Sequence, residues 1–255
     1  MKRSIEKILL KFFPKLYLGL TRAQDSNDRY LFGLNVIKKI CKNNFNILDV
    51  GCGSGNFYSY INSTFRNIDY TGIDFDYEKI SKKKFHGKKN FKIISKDLRE
   101  NWNLNEYDFV WSSEVIEHIF DDKKFFNQLV KSTKKDGYII ITTPYIESYL
   151  SFAKKYGWST KPSEEEIVGH VKLGYNEDDL INFGKENNLI LEDIYFISEC
   201  NSFRSKNFFK LNNGIFCYIF NLLYFIGLFR FKRFSSSKEK SDKLNYFSIA
   251  AVYKK

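Results

Sequence analysis

The sequence predicts an α/β fold in which helices cover both faces of a mostly parallel β-sheet. Two observations carry this prediction: apolar runs of strand length alternate with helical patterns from residue 45 onward, and a glycine-rich turn follows the first run. The seven predicted strands are 45–50, 69–74, 91–96, 107–113, 137–143, 189–198 and 245–253. The predicted helices are 29–42, 55–63, 76–85, 121–133 and 175–188.

The domain organisation follows from the same pattern. A chain of 255 residues is long enough for one such domain with insertions, so a second domain is not required. We expect residues 1–44 to form an N-terminal helical cap and residues 45–255 to form the main domain. Two stretches interrupt the alternation and are interpreted as insertions: 145–174 after the fifth strand, and the apolar stretch 200–243 between the last two strands.

The glycine-rich turn reads Gly51-Cys52-Gly53-Ser54-Gly55 and joins the first predicted strand to a helix. Because glycine has no Cβ, these positions permit a tight turn and a close approach of the backbone to a ligand. Such a turn is typical of Rossmann-like sheets, which bind ligands at the carboxyl ends of their strands. The spacing alone is also compatible with a dinucleotide site, although that site more often reads GxGxxG.

Three acidic residues mark the carboxyl ends of the first three predicted strands. Asp49 precedes the turn, Asp74 ends the second strand 19 residues after Gly55, and Asp97 follows the third strand. A carboxylate about 20 residues beyond such a turn can accept hydrogen bonds from both hydroxyls of a ribose. Helix capping explains any one of these acids, but it does not explain the ordered set.

These motifs, from residue 45 to about residue 145, resemble those of class I S-adenosylmethionine (SAM)-dependent methyltransferases, and in particular the small-molecule subgroup of ubiquinone-biosynthesis O-methyltransferases. The resemblance implies that the last strand runs antiparallel beside the fifth. It also implies that Asp49 holds the methionine end of SAM, Asp74 the ribose and Asp97 the adenine amino group. The full implied cofactor set is Asp49, Gly51, Gly53, Gly55, Asp74, Asp97, Leu98 and Ser113.

The segment 107–118 resembles the motif that follows the fourth strand in this subgroup. A later run, 135–144, resembles the subgroup's Pro-Gly-Gly turn and the Thr-Pro pair that follows it. The departure is that Lys135-Asp136-Gly137 stands where the subgroup has Pro-Gly-Gly, which changes only the turn.

Glu114, Glu117 and His118 share one face if their segment is helical, and His170 is a fourth candidate from the first insertion. One interpretation is a divalent cation site, with Mg²⁺ as the ion, because small-RNA 2′-O-methyltransferases use a similar Glu/Glu/His/His set. A bound metal lowers the pKa of an acceptor hydroxyl. The other interpretations are that Glu117 and His118 pack and hydrogen-bond beneath the acceptor pocket, or that His118 or His170 acts as a general base. The catalytic candidates are therefore His118, His170 and Glu117.

The net charge of +11 is concentrated in two apolar segments. Residues 1–20 carry five Lys/Arg against one acid, and residues 202–243 carry nine against two. Residues 1–20 show helical apolar spacing without a cleavage site, and the uncharged run 211–229 is near the lower length limit of a membrane span. We expect peripheral membrane contact through 1–20 and 208–233. Packing of these segments on the domain or on a partner subunit is the alternative.

The subgroup resemblance implies an enzyme that methylates a hydroxyl of a small-molecule, glycan or lipid-linked acceptor near the membrane. The four cysteines form no CxxC pair, which indicates a cytoplasmic protein, peripheral on the inner face of the membrane. The excess positive charge lies outside the predicted site, which disfavours nucleic acid as a partner. The sequence predicts no oligomeric state. Two alternatives remain: an RNA 2′-O-methyltransferase, and a non-catalytic SAM-fold protein that binds membranes.

Overall fold

The computed structural model describes residues 24–41, 44–75, 89–166, 169–199, 234–239 and 242–255. The helices are α1 (Gln24–Ile40), α2 (Asn56–Asn62), α3 (Asp122–Lys131), α4 (Ile146–Tyr156) and α5 (Glu177–Glu186), with 3₁₀ turns at Ile116–His118 and Lys243–Asn245. The strands are β1 (Phe45–Val50), β2 (Ile68–Asp74), β3 (Phe91–Ser95), β4 (Tyr107–Ser113), β5 (Thr133–Pro144), β6 (Ile190–Glu199), β7 (Phe234–Ser236) and β8 (Tyr246–Lys254).

One sheet contains all eight strands in the order β3-β2-β1-β4-β5-β8-β6-β7. Strands β1 to β5 pair in parallel, whereas β8 runs antiparallel between β5 and β6. This arrangement confirms the predicted Rossmann-like α/β fold, including the antiparallel last strand beside the fifth. The count of seven strands was wrong, because the short strand β7 pairs with β6 inside the stretch that was interpreted as an insertion.

The two faces of the sheet are buried under separate apolar clusters. Helices α1 and α2 cover one face, where Phe57 stacks on Trp111 with ring centroids 4.4 Å apart. Helices α3 and α5 cover the other face, where Phe126 stacks on Phe183 at 4.7 Å. Burial of such large rings is the main stabilising contribution to a two-sided sheet.

Local signals place the helices that border the site. Asp121 caps α3 by accepting a hydrogen bond from the Lys124 amide at 3.0 Å. Asn176 and Asp179 form a reciprocal capping box at the start of α5. Both helices follow parallel strands in the chain and begin at the carboxyl edge of the sheet, where those strands end.

The structure differs from the sequence-based predictions at α4 and at the start of β5. Helix α4 lies in the stretch 145–174, which the sequence analysis treated as an irregular insertion. Strand β5 begins at Thr133 rather than at residue 137, because the backbone pairs with Tyr107 before the turn at Gly137. The predicted helices at 1–20 and 76–85 and most of 200–243 lie outside the described residues.

Within the described part of the chain, no helix is long and apolar enough to cross a membrane.

Candidate active site

The glycine turn lies directly after β1 at the carboxyl edge of the sheet. Gly51 and Cys52 donate their amides to the carbonyl of Ile73 at 2.9 and 3.1 Å. Gly51, Gly53 and Gly55 all have positive φ, at 72°, 49° and 66°. L side chains rarely adopt this backbone conformation, so the sequence needs glycine here to turn from β1 into α2.

The turn has one open side. A Cβ built on Gly53 would meet no atom within 4 Å, whereas a Cβ on Gly51 would collide with Val115. The Gly53 amide donates to the Asp74 carboxylate at 2.9 Å, which fixes this acid beside the open backbone. The arrangement leaves room for a ligand against Gly53 and places a carboxylate within its reach.

Asp49 lies beneath the turn and is only 3% exposed. Tyr70 donates its hydroxyl to the Asp49 carboxylate. Burial raises the pKa of Asp49 to about 7, with the Asp74 charge adding to the rise and the Tyr70 hydrogen bond opposing it. Tyr70 was not identified from the sequence, because it is a typical inward-facing residue of a central strand.

Asp97 is held in an ion pair beyond β3. The Arg99 side chain donates to both oxygens of Asp97, with Nε 2.9 and 3.1 Å away, and these bonds lower the pKa of Asp97. Arg99 also lies 3.5 Å from a carboxylate oxygen of Glu166, and Glu166 accepts the Phe120 amide at 2.6 Å. The predicted adenine acceptor is therefore tied to the segment that follows α4.

A cavity of about 180 Å³ adjoins the turn. Its walls are formed by Gly51, Asp74, Phe75, Leu98, Glu114, Val115, His118 and Ile119. Three predicted cofactor residues, Gly51, Asp74 and Leu98, thus share one cavity with the catalytic candidate His118. Ser113 lies at the adjoining end of β4, where its hydroxyl contacts that of Thr142 at 2.9 Å.

The structure brings together three of the four predicted metal or catalytic residues. One potential ligand atom from each of Glu117, His118 and His170 lies within 4.8 Å of the others. The two imidazole rings meet edge to face with centroids 4.7 Å apart. Nδ1 of His118 lies 2.8 Å from the Gly169 carbonyl. Because a carbonyl only accepts, Nδ1 carries a proton, so in the neutral form of the ring the lone pair is on Nε2.

Glu117 is fully buried at the base of this cluster. Its Oε2 accepts from Thr143 at 3.2 Å, while its Oε1 is buried and has no hydrogen-bond partner among the described residues. Burial, and secondarily the neighbouring charge of Glu114, raises the pKa of Glu117 well above its ordinary value. Burial therefore favours the protonated form of this carboxyl group.

Glu114 does not share a face with this cluster. The segment is not one α-helix: Glu114 has a φ of 56°, and only Ile116–His118 forms a 3₁₀ turn. The Glu114 carboxylate instead lies 3.6 Å from Arg29 of α1 and accepts from Thr142 at 3.1 Å. The predicted four-residue set is therefore reduced to three, and Arg29 is a residue at this site that sequence reasoning missed.

Comparison with known proteins agrees with this geometry. A family model described as a methyltransferase domain matches residues 41–190, more than half of the chain. The chain belongs to this methyltransferase family. The methyltransferase domain thus includes the glycine turn, the three acidic strand ends and the Glu117/His118/His170 cluster.

The curated relatives of the methyltransferase match it over part of their length. A malonyl-[acyl-carrier protein] O-methyltransferase of Ilyobacter polytropus is 28% identical over 180 residues, which cover 67% of this chain and 65% of the relative. A ubiquinone biosynthesis O-methyltransferase of Hydrogenovibrio crunogenus is 30% identical over 105 residues, covering 39% of this chain and 43% of the relative. The chain therefore spans less than two thirds of either relative. The resemblance to the ubiquinone subgroup is confirmed.

Solved methyltransferases share the fold. A SAM-dependent methyltransferase of Clostridium acetobutylicum has a TM-score of 0.56 and 14% identity, covering 99% of this chain and 98% of its own. The small RNA methyltransferase HEN1 has a TM-score of 0.59 and 14% identity, covering 90% of this chain and 25% of its own. At these identities the likeness concerns the fold alone.

Proposed function

We propose that this protein transfers a methyl group from SAM to a hydroxyl oxygen of a small-molecule, glycan or lipid-linked acceptor. The observation that carries the proposal is that His118 lines the same cavity as Gly51 and Asp74. A group able to take a proton therefore lines a cavity whose wall also includes the glycine turn and the predicted ribose acid. A non-catalytic SAM-fold protein has no need for this juxtaposition.

The residues present fit SAM as the cofactor. The open backbone of Gly53 and the Asp74 carboxylate suit a ribose and its hydroxyls, and Leu98 offers an apolar contact for an adenine ring. Arg29, paired with Glu114 at the cavity, is a cation suited to a carboxylate. SAM supplies an activated methyl group on a sulfonium, so the protein's main tasks are alignment and exclusion of water.

The two histidines supply the proton acceptor. In the neutral form of His118, the lone pair is on Nε2 because Nδ1 donates to the Gly169 carbonyl. Burial, together with the nearby His118, lowers the pKa of His170, so His170 is neutral at pH 7. A neutral imidazole can accept the hydroxyl proton as the oxygen is methylated, which raises the nucleophilicity of that oxygen. The acceptor proton would leave through this pair.

The class of acceptor is tested by transfer of labelled methyl from SAM into host extract, separated into lipid, small-molecule, glycan and RNA fractions. We expect label in the lipid, glycan or small-molecule fraction with the wild-type protein, and loss of most of that label with His118→Gln. The exposed Glu106→Gln is the control for a substitution away from the cavity. If label appeared only in RNA, the RNA 2′-O-methyltransferase would replace this proposal. If no fraction were labelled, methyl transfer itself would be rejected.

We further propose that residues 1–20 and 208–233 bring the enzyme to an anionic membrane surface on the cytoplasmic side. The support is the sequence: Arg230, Lys232 and Arg233 follow an uncharged apolar run. Flotation with vesicles of phosphatidylglycerol, compared with phosphatidylcholine alone, tests this. We expect flotation only with the anionic vesicles and its loss when the three cations become glutamine. Equal recovery from both vesicle types would reject it.

A metal-assisted transfer is the second candidate. One observation favours it: Glu117, His118 and His170 offer one carboxylate and two imidazoles within 4.8 Å, and the Oε1 of Glu117 has no partner in the part of the chain that the structure describes. Histidine ligands commonly donate their other nitrogen to a backbone carbonyl, as His118 does. Chelator-treated protein should then regain transfer with Mg²⁺ or Mn²⁺. Full activity in excess chelator would support the general-base mechanism instead.

A further inference from the structure

The segment 169–175 carries His170 to the site, yet it belongs to no helix and makes only an isolated β-bridge, Tyr175 to Tyr145. Chain without regular pairing needs other contacts to hold a side chain in a fixed place. The question is which residue fixes this segment beside Glu117 and His118. The inference that follows rests on the proposed function.

At its start, the segment is held by the Gly169 amide, which donates to the Glu165 carbonyl at 3.4 Å, and by the His170 carbonyl, which accepts from the Ser163 amide at 2.7 Å. Backbone hydrogen bonds attach the rest of the segment, 171–175, at two points. The Lys172 amide donates to the Glu117 carbonyl at 3.1 Å. Tyr175 exchanges bonds with the end of β5, donating to the Pro144 carbonyl at 2.9 Å and accepting from the Ile146 amide at 3.1 Å. The segment therefore runs alongside the 3₁₀ turn and past the end of β5.

One carboxylate joins the side chains of both attachment points. Asp122, the first residue of α3, is 8% exposed. Its Oδ2 accepts from the Nζ of Lys172 and from the hydroxyl of Tyr175, the latter at 2.9 Å. Lys172 Nζ also lies 5.6 Å from the centre of the Tyr175 ring, and Tyr175 is 3% exposed. A buried phenol and a cation thus converge on a single oxygen.

The carboxylate of Asp122 does not cap α3. Asp121 performs that role through its bond to the Lys124 amide. Asp122 is therefore free to bind the segment 169–175, and its removal leaves the Tyr175 hydroxyl with only a 3.4 Å contact to the Ile116 carbonyl. A buried hydroxyl without a good acceptor destabilises the arrangement that contains it.

We propose that Asp122 is a positioning residue for methyl transfer: through Lys172 and Tyr175 it holds the segment 169–175 so that His170 stays against His118. Asp122 itself does not touch the reacting atoms. Displacement of a catalytic group by about 1 Å can lower a rate by about 100-fold, so loss of this tie affects turnover rather than cofactor binding.

The test compares Asp122→Ala, Asp122→Asn and Tyr175→Phe with the control Asp121→Asn. The control removes a charge at the same helix end while keeping a capping side chain. We expect kcat to fall about 10- to 100-fold in Asp122→Ala, with unchanged Kd for SAM. The kcat of Asp122→Asn and of Tyr175→Phe should fall less, because each variant keeps one of the two contacts that Asp122 makes with Lys172 and Tyr175. Asp121→Asn should match the wild type.

A nuclear Overhauser contact between the rings of His118 and His170 gives a readout that does not depend on activity. The chain has three histidines, so ring signals can be assigned by single substitution. We expect the contact in the wild type and its loss in Asp122→Ala. Its persistence in Asp122→Ala, or an unchanged kcat, would overturn the proposal. If Asp122→Ala fails to fold, the same comparison with Tyr175→Phe decides. A wild-type contact without any methyl transfer would reject only the proposed function.

Discussion

Tyr70 on β2 donates its hydroxyl to the Asp49 carboxylate on β1, directly beneath the glycine turn. Both side chains are almost fully buried, so the bond connects two adjacent central strands at the end where the cofactor turn begins. Ionising an acid in this position is unfavourable, because burial removes its carboxylate from solvent. The site therefore contains a carboxyl group whose protonation depends on pH near neutrality.

This burial predicts a measurable pH dependence of stability. The folded pKa of Asp49, about 7, lies above its usual 3.8. The folded state thus binds the proton more tightly, and the Asp49 contribution is fully present below about pH 4 and is lost as pH rises to about 7. The loss has an upper limit of about 4 kcal/mol. Asp49→Asn, which can still accept from Tyr70, should lose this part of the pH dependence.

Urea unfolding of both proteins at intervals from pH 4 to pH 8 measures the effect. As pH rises, we expect the free energy of unfolding of Asp49→Asn to increase relative to that of the wild type. A difference that stays constant over this range would show that Asp49 is ionised in the folded protein throughout.

Replacement of Asp74 should weaken SAM binding. Asp74→Ala removes the carboxylate beside the open Gly53 backbone, and loss of charge-assisted hydrogen bonds typically corresponds to about 1.5–3 kcal/mol, or about 10- to 150-fold in Kd. Isothermal titration with SAM gives the affinity. Asp69→Asn, an exposed change on the same strand, is the control. An unchanged Kd for Asp74→Ala would place the ribose elsewhere.

Gly51 and Gly53 separate two effects of a side chain in the turn. Both have positive φ, but only a Cβ at Gly51 collides with Val115. We expect Gly53→Ala to destabilise by about 1–2 kcal/mol through backbone strain, and Gly51→Ala by about 1–3 kcal/mol more through the collision. Thermal unfolding measures both. Adding Val115→Ala should recover part of the loss in Gly51→Ala and none in Gly53→Ala.

The sequence predicts the sheet well because its signals are local. Alternating apolar runs and helical patterns place β1, β2, β3 and β4 to within a residue, and the glycine turn marks the cofactor end. Helix α4 was missed because its stretch follows a Thr-Pro pair and has no strand after it to continue the alternation. Strand β7 was missed because its three residues pair with β6 only through contacts distant in sequence.

The site is predicted less completely, for the same physical reason. Glu117, His118 and His170 were expected together, and they meet. Glu114 was placed with them on the assumption of a helix, but its positive φ turns it towards Arg29, 85 positions earlier in the chain. Pairings such as Arg29 with Glu114 or Tyr70 with Asp49 arise from the packing of elements, which residue spacing within one segment does not encode.

Substitution of Glu117 distinguishes the general-base mechanism from the metal-assisted mechanism. Burial raises the pKa of Glu117 well above its ordinary value and so favours the protonated acid, whose shape and neutral charge glutamine reproduces. Glu117→Gln should therefore keep kcat within a factor of about 10, a change below about 1.4 kcal/mol. The exposed Glu106→Gln is the control for loss of one carboxylate. Titration with Mg²⁺ or Mn²⁺ accompanies the kinetics, since a carboxylate ligand cannot be replaced by an amide without loss of metal affinity. A large fall in kcat together with lost metal binding would assign Glu117 to a metal site, whereas retained turnover supports transfer of the acceptor proton to the histidine pair alone.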